Sequence, residues 1–340
     1  MQEATAPVRE PPDVRSHALA DYLAEVTLFS EPPPPPPPPP SPPPPSPSPL
    51  PSPPPPPPPV PVVQARKDPH LHFAHGGIAD LRGEDGKVYN FLSARNISWN
   101  VKTEAADFKW AHRVVHGTRL SAVYWTIRTD ADHVLQIAYS ATGSDRATVR
   151  NLNETDAERA THTLKATIDG SAYGTTYWLD NVFVKLSGRT LSVTIKDKWR
   201  MSVKQSPFPF SALNLKKTLL DVSAKALYDA DHDVVAPHGL FGQSYDGDDV
   251  AVDGKVDARG GDETTTSAQA EGAIEGVYTD YEIDSADPFG TSFKYSRFDA
   301  TAAKPRDVSK LTGAKHSRST DASATVSADD VPAGAPAAKN

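Results

Sequence analysis

Three histidines, His70, His72 and His75, lie within six residues of one another. Imidazole nitrogens are common ligands of divalent metal ions. In an extended strand His70 and His72 would share one face and could bind a metal as a pair, whereas His75 would point to the other face. The segment is therefore a candidate metal site, and three structural histidines are the alternative.

A second candidate metal site is acidic. Asp229, Asp231 and Asp233 alternate like the first three ligands of an EF-hand loop, but Val234 replaces the glycine of the turn and Leu240 replaces the closing glutamate. Clustered carboxylates repel one another, and a hard cation relieves that repulsion. We therefore predict Ca²⁺ as the cofactor at these three aspartates, with an ordinary solvated acidic loop as the alternative. Further oxygen ligands nearby are Asp246, Asp248, Asp249 and Asp253.

Catalytic patterns are weak in this chain. No Gly-x-Ser-x-Gly element accompanies a helix that could carry a nucleophile, and there is no cysteine. The best candidates for the paired carboxylates of glycoside hydrolysis are Glu271, Glu275 and Glu282, but spacing along a sequence does not select a catalytic pair. We predict that the protein is not an enzyme, with a carbohydrate-active enzyme on a spacer as the weakest alternative.

Composition limits the partners. The formal charge is −8, and no stripe of Lys and Arg with interleaved aromatic residues appears, which argues against nucleic-acid binding. Charge is unevenly spread: residues 68–228 hold 21 Lys and Arg against 16 Asp and Glu, whereas residues 229–287 hold 2 against 16. No apolar run approaches the length of a membrane span. Residues 1–31 lack the pattern of a signal peptide, so export would require a start further upstream.

The chain divides by composition into four parts. Residues 1–31 form a short N-terminal segment in which 16–29 has the spacing of an amphipathic helix. Residues 32–67 form a polyproline II linker, since 24 of the 30 residues from 32 to 61 are proline. Residues 68–300 contain the apolar and aromatic residues of a core, and the polar residues 301–340 are predicted to be a disordered tail.

Short runs rich in Val, Ile, Thr, Tyr and Trp fill the region 68–300, and many alternate between apolar and polar residues. Many short strands without a sustained helical period predict an all-β, antiparallel β-sandwich or barrel. The predicted strands are 87–92, 97–103, 120–128, 134–140, 162–168, 177–179, 182–186, 190–195, 200–204 and 217–226.

Several segments resemble a known family. Asp68-Pro-His70, followed by Gly86, Tyr89 and Phe91, resembles the opening of von Willebrand factor type D modules and of plant root-cap proteins. The run 237–245, PHGLFGQSY, is similar to an element of root-cap proteins and of the C-terminal region of inter-alpha-trypsin inhibitor heavy chains, and the run 272–281, which ends at Tyr281, resembles that same region. The fold-signature residues are Asp68, His70, Gly86, Tyr89, His238, Gly239, Gly242 and Tyr281.

The resemblance implies a scaffold and no catalysis. Type D modules bind calcium, which agrees with the acidic half of the chain, but they are cysteine-rich, so their disulfide-dependent assembly does not transfer to this chain. Together with the proline tract, the resemblance predicts a non-enzymatic structural or adhesive protein of a cell wall or extracellular matrix, with wall or matrix glycans and proteins as partners. N-glycosylation candidates are Asn96 and Asn153.

The alternative location is the cytoplasm. There the proline tract would recruit SH3, WW or profilin-type domains, which bind polyproline II segments. The absence of cysteine and of a signal peptide favours this alternative.

Overall fold

The computed structural model describes residues 34–39, 61–110, 112–142, 146–166, 175–207, 211–212, 218–258, 261–304 and 308–317. The helix predicted over 16–29 lies outside these residues, as does most of the proline tract. Residues 34–39 are exposed and lie in neither a helix nor a strand. All the elements below belong to the unit Pro57–Asn340.

The described residues form nineteen strands. They are β1 (Val62–Arg66), β2 (His70–His72), β3 (Ile78–Asp80), β4 (Val88–Ala94), β5 (Ile97–Trp110), β6 (Arg113–Arg128), β7 (Val134–Ser140), β8 (Arg146–Asn151), β9 (Thr161–Lys165), β10 (Thr175–Leu179), β11 (Val182–Ser187), β12 (Thr190–Ile195), β13 (Trp199–Pro207), β14 (Ser211–Ala212), β15 (Thr218–Ala226), β16 (Val250–Asp253), β17 (Glu263–Thr265), β18 (Glu282–Ile283) and β19 (Ala314–Ser317).

Helical elements in the described residues are short. They are the helices α1 (Ala157–Ala160) and α2 (Gly239–Gly242) and the 3₁₀ turns Ala74–Gly76, Tyr278–Tyr281 and Val308–Lys310. No helix in these ranges has both the length and the apolar character needed to cross a bilayer.

The strands form two large sheets. One has eight strands in the order β10-β11-β12-β13-β15-β1-β2-β3, and the other has the path β18-β4-β5-β6-β7-β8-β9, with β14 beside β5 and β17 beside β6. Strand pairs are antiparallel except β17 with β6. A separate two-stranded sheet joins β16 to β19.

One core lies between the two large sheets. Trp99 on β5 and Trp125 on β6 stack with ring centroids 5.5 Å apart, and the Trp125 Nε1–H points at the Met201 sulfur on β13 of the opposite sheet at 3.2 Å. Buried residues of both sheets belong to the same hydrophobic cluster. The structure is therefore a β-sandwich, and the predicted all-β, antiparallel fold class is confirmed.

The ten predicted strands correspond to β4 to β7, β9 to β13 and β15, with ends that differ by a few residues in most cases. The exceptions are β5 and β6, which continue well past the predicted 97–103 and 120–128 to form one long hairpin with a bulge between Lys102 and Thr103. Backbone pairing carries these strands beyond the point where apolar alternation ends. Composition alone does not reveal such an extension.

Both boundaries of the domain lie further out than predicted. The predicted linker, 32–67, includes β1, which pairs with β15 and β2 and buries Val63 and Ala65 in the core. The predicted disordered tail includes β19, whose four residues are exposed, and the buried Leu311. The side chains of β19 are exposed and do not alternate between apolar and polar, so the sequence gave no indication of a strand. Backbone hydrogen bonds to β16 hold it in place.

Candidate metal centre

The histidines of the first candidate site separate in the structure. His70 and His72 share the outer face of β2, as predicted, but the imidazole of His70 faces Asp80, with Nδ1 2.5 Å from Oδ1. His75 lies beyond the strand, in the 3₁₀ turn Ala74–Gly76. His75 therefore lies apart from the predicted pair of His70 and His72.

His75 instead meets carboxylates from the acidic half of the chain. Its Nε2 lies 3.1 Å from Asp231 Oδ1 and 4.0 Å from Asp246 Oδ1. One ligand atom from each of His75, Asp231 and Asp246 lies within 4.8 Å of the other two, which makes the three side chains a candidate metal-binding group. Within the described residues, this is the one group of three such side chains found.

The cluster is enclosed. The side chains of His75 and Asp246 are 3% and 4% exposed, and Asp231 is partly covered. A fourth carboxylate, Asp249, approaches His75 Nδ1 at 4.0 Å, but its side chain is 93% exposed. The inner three side chains therefore form the site, and Asp249 lies at its solvent edge.

Local backbone structure holds His75 in place. His75 has φ of 63°, a left-handed conformation that a residue with a side chain rarely adopts. The preceding residue is tied to the segment after α2, because the Ala74 N–H donates to Ser244 Oγ and the Ser244 hydroxyl donates to the Phe241 carbonyl. Asp246 follows in the same segment, so these contacts fix the distance between the turn and its carboxylate partner.

Asp231 comes from the segment after β15. The Gly247 N–H lies 3.5 Å from Asp231 Oδ1, which links this segment to the one that carries Asp246. The three ligands thus come from three parts of the chain: the turn before β3, the segment after β15 and the segment after α2.

The three predicted aspartates do not come together as one group in the structure. Asp229 pairs with His232, whose Nδ1 lies 3.0 Å from Oδ2, and Asp233 accepts the backbone N–H of Val235 at 3.0 Å. Only Asp231 of the three contributes to the metal-binding group. The three aspartates alternate in the sequence, but the backbone turns between residues 229 and 233, so their carboxylates face different partners.

Electrostatics of the cluster favour a cation. Burial alone would lower the pKa of His75, but the hydrogen bond to Asp231 and the charges of Asp231, Asp246 and Asp249 outweigh it and raise the pKa. The enclosed carboxylates therefore stabilise positive charge between them, which a proton on the imidazole or a metal ion can supply.

The donor set indicates which cation fits. A metal ion about 2.0–2.1 Å from each of its ligands in tetrahedral geometry holds them roughly 3.3 Å apart. The separations of 3.1 and 4.0 Å around His75 Nε2 lie on either side of that value. One imidazole and two carboxylates suit Zn²⁺, whereas Ca²⁺ prefers six to eight oxygen ligands.

The later signature residues form a buried network. Gly239 N–H donates to His238 Nδ1, so His238 Nε2 carries the proton and points at Glu275 Oε2, 3.3 Å away. Gln243 Oε1 accepts both the Glu275 N–H and the Tyr281 hydroxyl. The run 237–245 and the run 272–281 therefore interlock, and Gly242, whose position leaves room for the side chain of Leu92, completes the turn.

The earlier signature residues lie in the segment from the end of β1 to β4. Asp68 accepts the backbone N–H of Thr118, and the Tyr89 hydroxyl accepts the backbone N–H of Glu84. Gly86, with φ of 77°, occupies the turn before β4. These residues position backbone segments.

The three glutamates considered for catalysis have separate partners. Glu275 is bound by His238 and by Lys310, whose Nζ lies 2.7 Å away. Glu282 pairs with Lys87, and Glu271 lies 3.6 Å from Lys255 Nζ. Burial would raise the pKa of Glu275, but hydrogen bonds from Lys310 and His238 outweigh it and lower the pKa. Glu275 is thus an ionised partner within an ion-pair network.

The two glycosylation candidates differ in accessibility. Asn153 is exposed, and its Oδ1 accepts the Val134 N–H. Asn96 is half-buried in the turn between β4 and β5, with φ of 66°, and its Oδ1 accepts from Arg128. Asn153 is the more accessible of the two.

No family model matches the chain, and no curated protein matches it in sequence. The resemblance to type D and root-cap modules therefore stays a prediction from the signature residues.

Proposed function

We propose that this β-sandwich is a non-enzymatic structural or adhesive module of a cell wall or extracellular matrix, fastened by a divalent cation at His75, Asp231 and Asp246. The observation that carries the proposal is the enclosed group of one imidazole and two carboxylates. Its donor set favours Zn²⁺ over the Ca²⁺ predicted from the sequence.

The position of the cluster suits a fastening role. A metal ion there would join the turn at His75 to two segments that lie at least 156 positions further along the chain. No disulfide links these segments, since the chain has no cysteine. The same region anchors the start of the domain, because the Tyr245 hydroxyl donates to the Pro61 carbonyl at 3.3 Å. Tyr245 immediately precedes Asp246, so the cation would reinforce the point at which the chain enters from the proline tract.

The experiment is a metal titration of the full chain after treatment with EDTA. We expect Zn²⁺ to bind with one-to-one stoichiometry by calorimetry. At a hundred-fold excess over the Kd it should raise the Tm by about 5–10 °C, and Ca²⁺ at the same concentration should raise it less. If neither ion produces heat or a shift in Tm, the metal centre is wrong.

A further inference from the structure

The outer face of the eight-stranded sheet carries basic side chains separated by hydroxyls. On β11, β12, β13, β15 and β1 every second residue points away from the core, and all of these except Leu219 on β15 are exposed or half-buried. We call this surface the basic face; its cations are Arg66, Lys185, Arg200, Lys204 and Lys225, and its small polar residues are Thr190, Ser192, Thr194, Ser202 and Ser223.

The strand register aligns these residues in rows across the sheet. One row runs from Lys185 through Ser192, Ser202 and Ser223 to Gln64. In the next row Arg200 on β13 stands directly opposite Lys225 on β15. Like charges directly opposite each other on an antiparallel pair destabilise the sheet. The pair of Arg200 and Lys225 therefore does not stabilise the sheet, whereas an anion bound between the two cations would reduce their repulsion.

The one acidic side chain at the outward positions of these five strands is Asp221 on β15. Asp221 lies opposite Lys204, but its carboxylate accepts the Lys67 N–H and the Ser206 hydroxyl. Within the described residues, no carboxylate oxygen lies within 4 Å of a charged nitrogen of Arg66, Lys185, Arg200, Lys204 or Lys225. This face is therefore positive in a chain whose net charge is −8.

The face also contains a groove of about 400 Å³. Its walls carry the cations of Arg66, Lys67 and Lys204, the hydroxyls of Thr190, Ser202 and Ser223, and one carboxylate, that of Asp221. Cations can pair with an acidic group, and hydroxyls can both donate to and accept from neutral polar groups. The groove therefore offers the two kinds of contact that an acidic, hydroxyl-rich polymer needs.

An exposed aromatic ring lies at one end of the face. Trp178 on β10 is 72% exposed and packs edge-on against Phe183, with ring centroids 5.9 Å apart. The register places Trp178 and Phe183 in the same row as Thr194, Arg200 and Lys225. The Trp178 Nε1–H donates to the Asp180 carbonyl, which fixes the orientation of the exposed indole. Such a ring can pack against the apolar face of a sugar.

We infer that the basic face binds an acidic polysaccharide, a chain of uronate sugars, whose carboxylates pair with the cations and whose hydroxyls meet the serines and threonines. From Trp178 on β10 to Lys225 on β15 there are four interstrand steps, or about 19 Å, which an extended oligosaccharide can follow. A single-stranded nucleic acid is disfavoured because its binding sites stack successive bases on several aromatic rings, and the exposed tryptophan lies at one end of the face.

This surface supplies a partner for the adhesive role proposed above and rests on that role, but it uses none of the metal-centre residues. The test is calorimetry of the full chain with an oligogalacturonate at low salt. A neutral oligosaccharide of equal length and a single-stranded RNA of equal charge serve as competitors. Binding of the oligogalacturonate should weaken at least ten-fold in 0.5 M NaCl, because salt screens exposed charges.

Variants locate the site. Arg200→Glu with Lys225→Glu should weaken binding at least ten-fold, and Trp178→Ala should weaken it several-fold. The matched control is Arg146→Glu with Lys165→Glu, which reverses another exposed cross-strand pair of like charges, on β8 and β9 of the other sheet. The control should change the affinity less than two-fold.

Three results would overturn the inference: no binding of oligogalacturonate, equal weakening in the control, or tighter binding of either competitor. If the glycan fails to bind while Zn²⁺ still raises the Tm, the surface is wrong and the metal-fastened scaffold stands. If Zn²⁺ has no effect while the glycan binds, the metal centre is wrong and the surface stands.

Discussion

His75 and Asp231 are 156 positions apart in the chain, and His75 Nε2 lies 3.1 Å from Asp231 Oδ1. Each residue belongs to a different metal site predicted from the sequence, one rich in histidine and the other in aspartate. The fold joins one member of each with Asp246 and gives the remaining members other partners. The two predicted sites thus contribute to one cluster.

We expect replacement of a ligand to weaken Zn²⁺ binding at least about ten-fold. Asp246→Asn removes a carboxylate charge with little change in shape. His75→Asn removes the imidazole but keeps a residue that tolerates the left-handed backbone at φ of 63°. The measurement is calorimetric titration with Zn²⁺ of each variant and of the wild type.

The matched control for these ligands is Asp229→Asn. It removes a carboxylate of the same predicted triad, but Asp229 pairs with His232 and lies outside the cluster. This variant should bind Zn²⁺ like the wild type. A loss as large as that of Asp246→Asn would mean that the acidic segment attracts the ion by charge alone.

The strands were predictable where side chains alternate. In β12 and β13, inward residues such as Val193 and Met201 are apolar and outward residues such as Ser202 are polar, so the pattern alone reveals the strand. The edge strands β17 and β19 were not predictable, because backbone hydrogen bonds hold them and their side chains remain largely exposed.

The candidate site was predictable in its residues and not in its assembly. His75 and Asp231 were recognised as ligand types, and Asp246 as a nearby oxygen donor. Nothing in their spacing shows that a left-handed turn at His75 and the Ala74–Ser244 hydrogen bond bring the three together. Contacts between segments that are far apart in the chain bring the three side chains together, and local sequence patterns do not encode such contacts.

Asp68 should make stability depend on pH. Burial raises its pKa from 3.8 to about 6, with Asp257 and Asp80 adding to the rise and Thr118 and His70 opposing it. Between these values the folded chain keeps a proton that the unfolded chain releases. The stabilisation from this proton is therefore complete below pH 3.8 and is lost as the pH rises past about 6.

Asp68→Asn should remove this dependence, because the amide oxygen still accepts the Thr118 N–H and carries no charge to bury. We expect the variant to be more stable than the wild type at pH 7.5, by as much as about 3 kcal/mol, and the difference to shrink towards pH 4. Urea denaturation of both proteins across this range measures it. A difference that stays constant with pH would contradict the buried ionisation.

Gly239→Ala should destabilise the turn that carries His238. Gly239 has φ of 94°, and a Cβ there would lie 2.5 Å from Asn90 Oδ1 and 2.8 Å from the Phe91 backbone. The left-handed backbone and the clash together should cost about 2–4 kcal/mol in the free energy of unfolding. Denaturant unfolding measures the cost.

Gly86→Ala separates the two contributions to that cost. Gly86 also needs a positive φ, 77°, but a Cβ there would meet nothing within 4 Å. It should therefore cost only about 1 kcal/mol. Equal costs at the two positions would show that the close approach of β4 to Gly239 is unimportant.

The Glu275–Lys310 pair should hold the segment before β19 against the core. Lys310 Nζ lies 2.7 Å from Glu275 Oε1, and the Glu275 side chain is mostly buried while that of Lys310 is half-exposed. Lys310→Met removes this cation and leaves the Glu275 carboxylate with its hydrogen bond to His238 and the nearby charge of Arg297. We expect a loss on the order of 1 kcal/mol in the free energy of unfolding, since the exposed end of Lys310 is screened by solvent.

Two further variants test whether the loss belongs to the ion pair. Lys315→Met removes an exposed lysine of β19 and should change the stability by less than about 0.5 kcal/mol. In the double variant with Glu275→Gln, the Lys310 replacement should cost less than it does alone, because its partner charge is already absent. Strictly additive effects would show that Lys310 acts through packing instead of through Glu275.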